Sequence, residues 1–198
     1  MKPPRVGKSR LRGAVEERAH PELVLALAAD TLAAASAVAR RILLVATDPA
    51  AVADLARFGA EITGDAGAPG LNSALRHGEA LLRARDPHSV IGALQADLPA
   101  LRAGELAAAF AEAGQRRAFV ADAAGTGTTL LLSAPGGPLS PRFGNGSAPA
   151  HADSGAVPVT AALPTLRRDV DTPDDLARAE ELGLGKWTAA ILWERRVA

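Results

Sequence analysis

Short apolar runs alternate with segments of helical periodicity through the first 120 residues, and this alternation constrains the fold more than any other feature. The runs at residues 42–46 and 89–94 are each followed by turn residues, a pattern typical of buried strands. In the segments around them, apolar residues recur at the spacing of one helix face. Strands that alternate with helices predict an α/β fold with a mostly parallel central sheet and helices on both faces.

The same patterns predict the remaining elements. Helices are expected at about residues 22–38, 50–58, 72–85, 104–113, 173–182 and 186–195, and further strands at 60–63, 118–121, 128–132 and 167–170. Residues 1–13 and 134–158 contain many Gly and Pro residues and are predicted to be loops. Since the sequence shows neither an internal repeat nor a linker, we predict a single domain over residues 1–198.

The composition argues against several classes of function. The chain has 22 Lys+Arg and 22 Asp+Glu, and this balance argues against a protein that grips nucleic-acid phosphates or an anionic membrane. Because cysteine is absent and the four His lack metal-binding spacing, any metal should be a hard cation such as Mg²⁺ on carboxylates. With no apolar run of membrane-spanning length and no signal-peptide pattern, the expected location is the cytoplasm.

Three aspartates lie where predicted strands end, and ligands of such sheets bind at the carboxyl ends of strands. Asp97 either holds Mg²⁺ there or caps a helix. Asp169 and Asp171 alternate with Val170, so both point to one face, where two carboxylates repel each other unless a cation lies between them. The alternative is that Asp171 opens the next helix and Asp169 is solvated. Together the three carboxylates form a candidate Mg²⁺ site.

Positive charge is concentrated in the predicted loop at residues 1–13. Lys2, Lys8 and Arg10 could together surround a triphosphate, because Arg offers forked contacts and Lys offers point charges. The alternative is a solvated basic terminus.

Two glycine-rich loops are candidates for binding a second anion. Gly125-Thr126-Gly127-Thr128 and Phe143–Ser147 both offer backbone N–H groups and hydroxyls. The alternative for the first loop is a plain turn. Whether the two loops converge on one oxyanion does not follow from their composition.

Asn72 and two tryptophans complete the set of candidate residues. Asn72 begins a predicted helix, where it either caps that helix or reads the edge of a base with its amide. Trp187 and Trp193 are interpreted as packing anchors near the end of the chain.

Seven motifs occur along the chain in one order, and together they resemble a known family. They are GKSRL (7–11), GLNSAL (70–75), QADLPAL (95–101), GTGTTLL (125–131), PRFGNGS (141–147), HADSGA (151–156) and DVDTPDDL (169–176). The resemblance is to the phosphoenolpyruvate or 2-phospho-L-lactate guanylyltransferases of coenzyme F-420 biosynthesis, and it spans nearly the whole chain. That family belongs to the Rossmann-type nucleotidyltransferases that are similar to nucleotide-diphospho-sugar transferases.

The resemblance implies a reaction in which GMP passes from GTP to phosphoenolpyruvate, giving enolpyruvoyl-2-diphospho-5'-guanosine and pyrophosphate. It implies that Mg²⁺ is held by Asp97, Asp169 and Asp171, that the GTP phosphates are held by Lys2, Lys8 and Arg10, and that the acceptor is held by Thr128, Gly144 and Ser147. Asp97, Lys8 and Arg10 are the predicted catalytic residues, and Asn72 is the residue expected at the guanine edge.

One departure from the family concerns the start of the chain. The family opens with an apolar strand ahead of the basic loop, whereas this sequence begins at Met1-Lys2. We therefore expect either a start upstream of Met1 or a protein without that strand. Its loss would leave unpaired ladder groups in the centre of the sheet and would remove part of the nucleotide site.

The sequence leaves other functions open. A molybdopterin nucleotidyltransferase usually carries an LAGGxSxRMG-like loop, and GKSRL lacks those glycines. A catalytically inactive binding subunit would be consistent with a missing strand. The sequence does not choose among phosphoenolpyruvate, 2-phospho-L-lactate and 3-phosphoglycerate as acceptor, or between a monomer and a homodimer.

Overall fold

The computed structural model describes residues 1–67 and 69–196 and contains most of the predicted elements. The helices are α1 (His20–Ser36), α2 (Leu71–Arg85), α3 (Ala103–Ala113), α4 (Ser147–Asp153), α5 (Pro173–Leu182) and α6 (Lys186–Arg196). The strands are β1 (Ile42–Ala46), β2 (Ala60–Gly64), β3 (Gly92–Leu94), β4 (Ala118–Ala121), β5 (Thr128–Leu132) and β6 (Val157–Pro158). Their order along the chain confirms the α/β class.

The strands form two sheets. β1 and β2 pair in parallel, with Ile42 opposite Ala60, and the other four strands lie in the order β3-β5-β4-β6. β4 and β6 are parallel, whereas β5 is antiparallel to both of its neighbours. The antiparallel pair β4–β5 follows from the short connection between these two strands, which is too short for a helical crossover.

Three predicted segments differ from the expectation. Residues 50–58 form a 3₁₀ helix. The predicted strand at 167–170 is absent, because the backbone of this segment bonds singly to two different segments: the carbonyl of Arg167 accepts from the N–H of Ala123, and the N–H of Val170 donates to the carbonyl of Asp97. The predicted loop at 134–158 contains α4 and β6, so less of it is irregular than its composition suggested.

A slot of about 510 Å³ separates the two sheets. It is lined by β1 on one side and β3 on the other, and by residues of α1, α2 and α3. Among the described strands, β1 has β2 as its one neighbour, and β3 has β5 as its one neighbour. In the described part of the chain, the place that a strand between β1 and β3 would take is therefore a cavity.

Met1 lies beside β1 and bonds to it as a parallel strand residue does. Its amino group donates to the carbonyl of Val45, and its own carbonyl accepts from the N–H of Thr47 at 3.0 Å. These partners flank Ala46, which is the pattern of one rung in a parallel ladder. Chain attached ahead of Met1 in the same register would thus run along the slot-facing edge of β1.

Two helices fix the segments that carry the candidate residues. α1 buries Leu23 and Leu27 in a cluster with Val170, and it buries Leu32 in a cluster with Leu44 of β1. At the start of α5, the Thr172 hydroxyl accepts from the backbone N–H of Asp175, and the Asp175 carboxylate accepts from the backbone N–H of Thr172. This capping box confirms the predicted role of Thr172 and fixes the chain just after Asp171.

In the part of the chain that the structure describes, no helix combines the length and the apolar character needed to cross a membrane.

Candidate active site

Three carboxylates from two distant segments meet beside one backbone hydrogen bond. The carbonyl of Asp97, which follows β3, accepts from the N–H of Val170 at 3.0 Å. Val170 is fully buried, and the aspartates on either side of it, Asp169 and Asp171, interact electrostatically with Asp97. The alternation expected at 169–171 is therefore present, although these residues belong to no strand.

Lys8 reaches into this group of carboxylates. Its ammonium forms ion pairs with both Asp97 and Asp171. Lys8 has a left-handed backbone with φ of 55°, a conformation that is uncommon for residues other than glycine. Its loop is held in place by His20, whose Nε2 lies 2.9 Å from the carbonyl of Gly7.

The electrostatics reflect crowding of like charge in a buried place. Burial raises the pKa of Asp97, although the Lys8 ammonium opposes this change. The pKa of Asp169 is raised to about 7, first by burial and then by the charges of Asp97 and Asp171. Burial alone would lower the pKa of Lys8, but the two carboxylates outweigh it and the pKa is raised. The site therefore favours added positive charge.

The same carboxylates offer the ligands that a hard cation requires. Oδ1 of Asp97 is buried and has no hydrogen-bond partner, so one oxygen is available at the centre of the group. Among the described residues, however, no three His, Cys, Asp or Glu side chains are already arranged as a metal cage. Because Lys8 lies between Asp97 and Asp171, a divalent cation bound there would have to displace its ammonium. The donor chemistry thus fits Mg²⁺, provided that Lys8 moves.

A second polar cluster joins β5 to α4. The hydroxyl oxygens of Thr128 and Ser147 lie 3.1 Å apart, and Nδ1 of His151 lies 2.9 Å from the Thr128 hydroxyl. The other ring nitrogen of His151 accepts from the backbone N–H of Arg142 at 2.9 Å. All three side chains are buried. Burial and the nearby guanidiniums of Arg117 and Arg142 lower the pKa of His151 to about 4, so its ring is neutral at pH 7.

Asn72 connects α2 to the loop at 141–147. Its amide donates to the carbonyl of Phe143 at 2.9 Å and accepts from the N–H of Phe143 at 2.8 Å. The helix-cap interpretation of Asn72 is wrong, because α2 begins after Gly70 and has no side-chain cap. Its proposed contact with guanine stays a prediction, and the observed pair gives Asn72 a role in holding the loop.

The backbone amides of the loop at 125–128 bind the carboxylate of a residue in the same chain, Asp122. The carboxylate of Asp122 accepts from the N–H of Thr126 at 2.9 Å and from the N–H of Gly127 at 2.8 Å. A Cβ at Gly127 would lie 2.4 Å from that carboxylate, so a larger residue here would push the Asp122 side chain away from the amides that it binds. The expectation that these amides are free for a ligand is therefore wrong, whereas the Thr128 side chain faces the His151 cluster.

The other predicted residues lie outside these two bonded groups. Lys2, Arg10 and Gly144 are exposed, and we find no hydrogen bond or ion pair from the Lys2 or Arg10 side chain to any described residue. Trp187 packs edge-on against Phe58 with ring centroids 4.5 Å apart, as expected of a packing anchor. Trp193 is 64% exposed, so the same expectation is wrong for that residue.

Two residues that join these loops were not singled out from the sequence. His151 appeared there only as part of the HADSGA motif, and Asp122 was not considered. Asp122 could have been found, because an aspartate just ahead of a Gly-rich turn commonly bonds to the backbone of that turn. His151 gave no such local signal, since its partners at 128 and 142 come from other elements.

Comparison with known proteins identifies a family that this chain resembles in sequence. The profile of the family described as "Guanylyl transferase CofC like" matches residues 1–156. A protein named phosphoenolpyruvate guanylyltransferase from Salinispora arenicola is 50% identical over 191 residues, which cover 94% of this chain and 87% of that protein. A protein of the same name from Streptomyces scabiei is 50% identical, and the match covers 96% of this chain and 92% of that protein. Another, from Geodermatophilus obscurus, is 51% identical, and the match covers 94% of this chain and 88% of that protein.

Proposed function

The chain belongs to the family of CofC-like guanylyl transferases, and from this membership and the site's geometry we propose that it transfers GMP from GTP to phosphoenolpyruvate. The products would be enolpyruvoyl-2-diphospho-5'-guanosine and pyrophosphate, in the biosynthesis of coenzyme F-420. The named relatives support phosphoenolpyruvate over the other acids as the acceptor. The cytoplasmic location expected from the sequence stays part of this proposal.

The reaction needs positioning and charge neutralisation more than proton transfer. A phosphate oxygen of the acceptor attacks the α-phosphorus of GTP, and pyrophosphate leaves. Because the attacking oxygen is already anionic, no general base is required. A site made of cationic side chains, carboxylates and loop donors is therefore sufficient for catalysis.

The observation that carries this proposal is the meeting of Lys8 with Asp97, Asp169 and Asp171. We propose that the three carboxylates hold Mg²⁺ and that Lys8, once displaced from them, binds the GTP phosphates together with Lys2 and Arg10. When bound, Mg²⁺ would neutralise negative charge on the phosphates. The unpartnered oxygen of Asp97 supports this assignment.

For the acceptor, we propose binding by Thr128, Gly144 and Ser147. Thr128 and Ser147 already share a hydrogen bond, and Gly144 lies in the loop that Asn72 holds through its neighbour Phe143. Gly144 is exposed and has φ of 142°, a backbone conformation that suits glycine. These features support one anion site at the junction of β5 and the 141–147 loop.

Pyrophosphate release tests the proposal. With GTP and Mg²⁺, we expect release to depend on phosphoenolpyruvate and to be faster than with 2-phospho-L-lactate or 3-phosphoglycerate. ATP in place of GTP should give little release, because a pocket built for one base leaves polar groups unpaired with the other. No release with any of the three acids at saturating GTP would contradict the proposal and favour an inactive binding subunit.

A further inference from the structure

His151 is fully buried in α4, and both of its ring nitrogens have partners. The backbone N–H of Arg142 donates to Nε2 at 2.9 Å, so Nε2 carries no proton. A neutral imidazole carries one N–H, and that hydrogen must therefore lie on Nδ1. Nδ1 lies 2.9 Å from Oγ1 of Thr128 and donates to it. The fold thus selects one tautomer of the ring.

The Thr128 hydroxyl accepts a second hydrogen bond, from the hydroxyl of Ser147 at 3.1 Å. A hydroxyl oxygen has two acceptor positions, and both are now filled. With the Ser147 hydroxyl as the donor of that bond, the hydrogen of Thr128 remains to be donated, and the structure gives it no hydrogen bond to an acceptor in the described part of the chain. Thr128 is therefore left as a donor that an anion could use.

The surroundings of His151 keep this arrangement in place. The rings of Phe119 and Phe143 lie 6.0 and 5.2 Å from the imidazole centroid, and the guanidiniums of Arg117 and Arg142 oppose its protonation. If the ring instead carried its hydrogen on Nε2, Nδ1 would accept from Thr128. The hydroxyl hydrogen would then point at the ring and would be lost to a ligand.

We propose that His151 is a positioning residue for the phosphorylated acid: its Nδ1–H holds the Thr128 hydroxyl so that Thr128 donates to the anionic group of that acid. The inference rests on the proposed function, which gives Thr128 and Ser147 to the acceptor. His151 itself touches neither GTP nor the reacting atoms in this account, and it acts through Thr128.

Three substitutions separate the two hydrogen bonds of His151. His151→Asn keeps an amide N–H near the place of Nδ1, His151→Gln keeps a carbonyl near the place of Nε2, and His151→Leu keeps neither. The KM for phosphoenolpyruvate should rise about tenfold or more in the Gln and Leu variants, and the Asn variant should restore most of it. GTP affinity, measured by calorimetry, should stay unchanged in all three. His88→Asn, at an exposed histidine, is the matched control.

The melting temperature should follow a different order. Stability depends on the hydrogen bond from the backbone N–H of Arg142, so the His151→Gln variant should melt at a higher temperature than the His151→Asn variant. The His151→Asn variant should nevertheless have the lower KM for phosphoenolpyruvate. A general loss of structure cannot produce this crossed pattern. If KM for the acceptor follows the melting temperature across the three variants, or if GTP affinity falls with it, the inference is wrong.

Nitrogen NMR of the imidazole tests the same inference in the unmodified protein. The spectrum should show the neutral Nδ1–H tautomer at pH 7, and an Nε2–H tautomer or an imidazolium would overturn the inference. This readout does not depend on turnover. A wild-type protein that shows the Nδ1–H tautomer but releases no pyrophosphate would contradict the proposed function and, with it, the role of His151 toward the acceptor.

Discussion

Lys8 is held by carboxylates that lie about 90 and 160 positions further along the chain. Exposed ion pairs are worth little, but the Asp97 side chain is only 12% exposed, and removing its partner would leave a buried charge uncompensated. The left-handed backbone of Lys8 adds local strain that these contacts offset. One lysine therefore contributes both to the fold of the basic loop and to the charge balance of the site.

At the residue scale, Asp97 is the carboxylate whose loss should matter most. Asp97→Asn should lower kcat on the order of 10³-fold, because one ligand of the proposed metal is lost while the shape of the side chain is kept. Steady-state kinetics at saturating Mg²⁺ would measure the effect, with the exposed Asp174→Asn as the control. A kcat close to that of the wild type, with an unchanged melting temperature, would mean that Asp97 holds no catalytic metal.

The raised pKa of Asp169 predicts how stability depends on pH. Its pKa is about 7 in the folded protein and near 4 in the unfolded chain, so the folded state holds this proton more tightly. The contribution of Asp169 to stability is therefore fully present below pH 4 and is lost as the pH rises from 4 to 7. In metal-free protein at pH 8, Asp169→Asn should raise the stability by roughly 2 kcal/mol, about half of the unscreened value.

Thermal melts of that variant and the wild type from pH 4 to 8, with a chelator present, would measure the difference. The gain in the melting temperature of Asp169→Asn should be largest at pH 8 and should shrink as the pH falls. A constant difference across this range would show that Asp169 does not titrate between pH 4 and 7.

Two hydroxyls test the assignment of the acceptor. Thr128→Val removes one donor to an anion, worth roughly 1.5–3 kcal/mol, and Ser147→Ala removes the hydroxyl that donates to Thr128. Each should raise KM for phosphoenolpyruvate about tenfold or more. GTP affinity by calorimetry should be spared, and Ser36→Ala at the exposed end of α1 serves as the control. An equal loss of GTP affinity would assign these loops to the nucleotide.

At the element scale, the slot between β1 and β3 is the least complete part of the fold. Its walls are strand edges and helix side chains, and Met1 already forms one parallel rung at its end. When a strand fills this slot, the free backbone N–H and C=O groups at the edges of β1 and β3 gain hydrogen-bond partners, and the apolar lining is covered. The resemblance to the guanylyltransferases implies that their first strand forms part of the nucleotide site, so we expect such a strand to improve GTP binding as well.

An N-terminal extension of the chain tests this account of the slot. About ten residues joined ahead of Met1, with an apolar strand of common length among them, should raise the melting temperature and tighten GTP binding. An extension of equal length made of Gly and Ser is the control, because it cannot fill the apolar slot. Equal melting temperatures and equal GTP affinities for the two extensions, measured by calorimetry, would show that a first strand is dispensable in this protein.

At the scale of the whole molecule, the sequence predicted what depends on local pattern. The strand–helix alternation, the cap at Thr172 and the place of the three aspartates after buried segments all follow from short-range rules. The reversal of β5 also had a local signal, since β4 and β5 are separated by only a few residues that include glycines. A short connection predicts an antiparallel pair, whereas the overall strand–helix alternation predicts parallel strands, and for β4 and β5 the short connection decides.

What the sequence did not predict depends on contacts between distant segments. Lys8 pairs with Asp97, 89 positions further along the chain, next to a contact between His20 and the carbonyl of Gly7. Asn72 pairs with a backbone 71 positions away. His151 likewise combines Thr128 with the amide of Arg142. No spacing rule connects such residues, because their meeting depends on how the sheets and helices pack.

The central claim is that an oxygen of the acceptor phosphate attacks the α-phosphorus of GTP, and isotope tracing tests it most directly. Phosphoenolpyruvate labelled with ¹⁸O in its phosphate would be incubated with GTP, Mg²⁺ and the protein, and the products would be analysed by mass spectrometry. The account predicts that all of the label appears in the guanosine-containing diphosphate and that the released pyrophosphate is unlabelled. Label in pyrophosphate or in free phosphate, or GDP as the guanosine product, would contradict it.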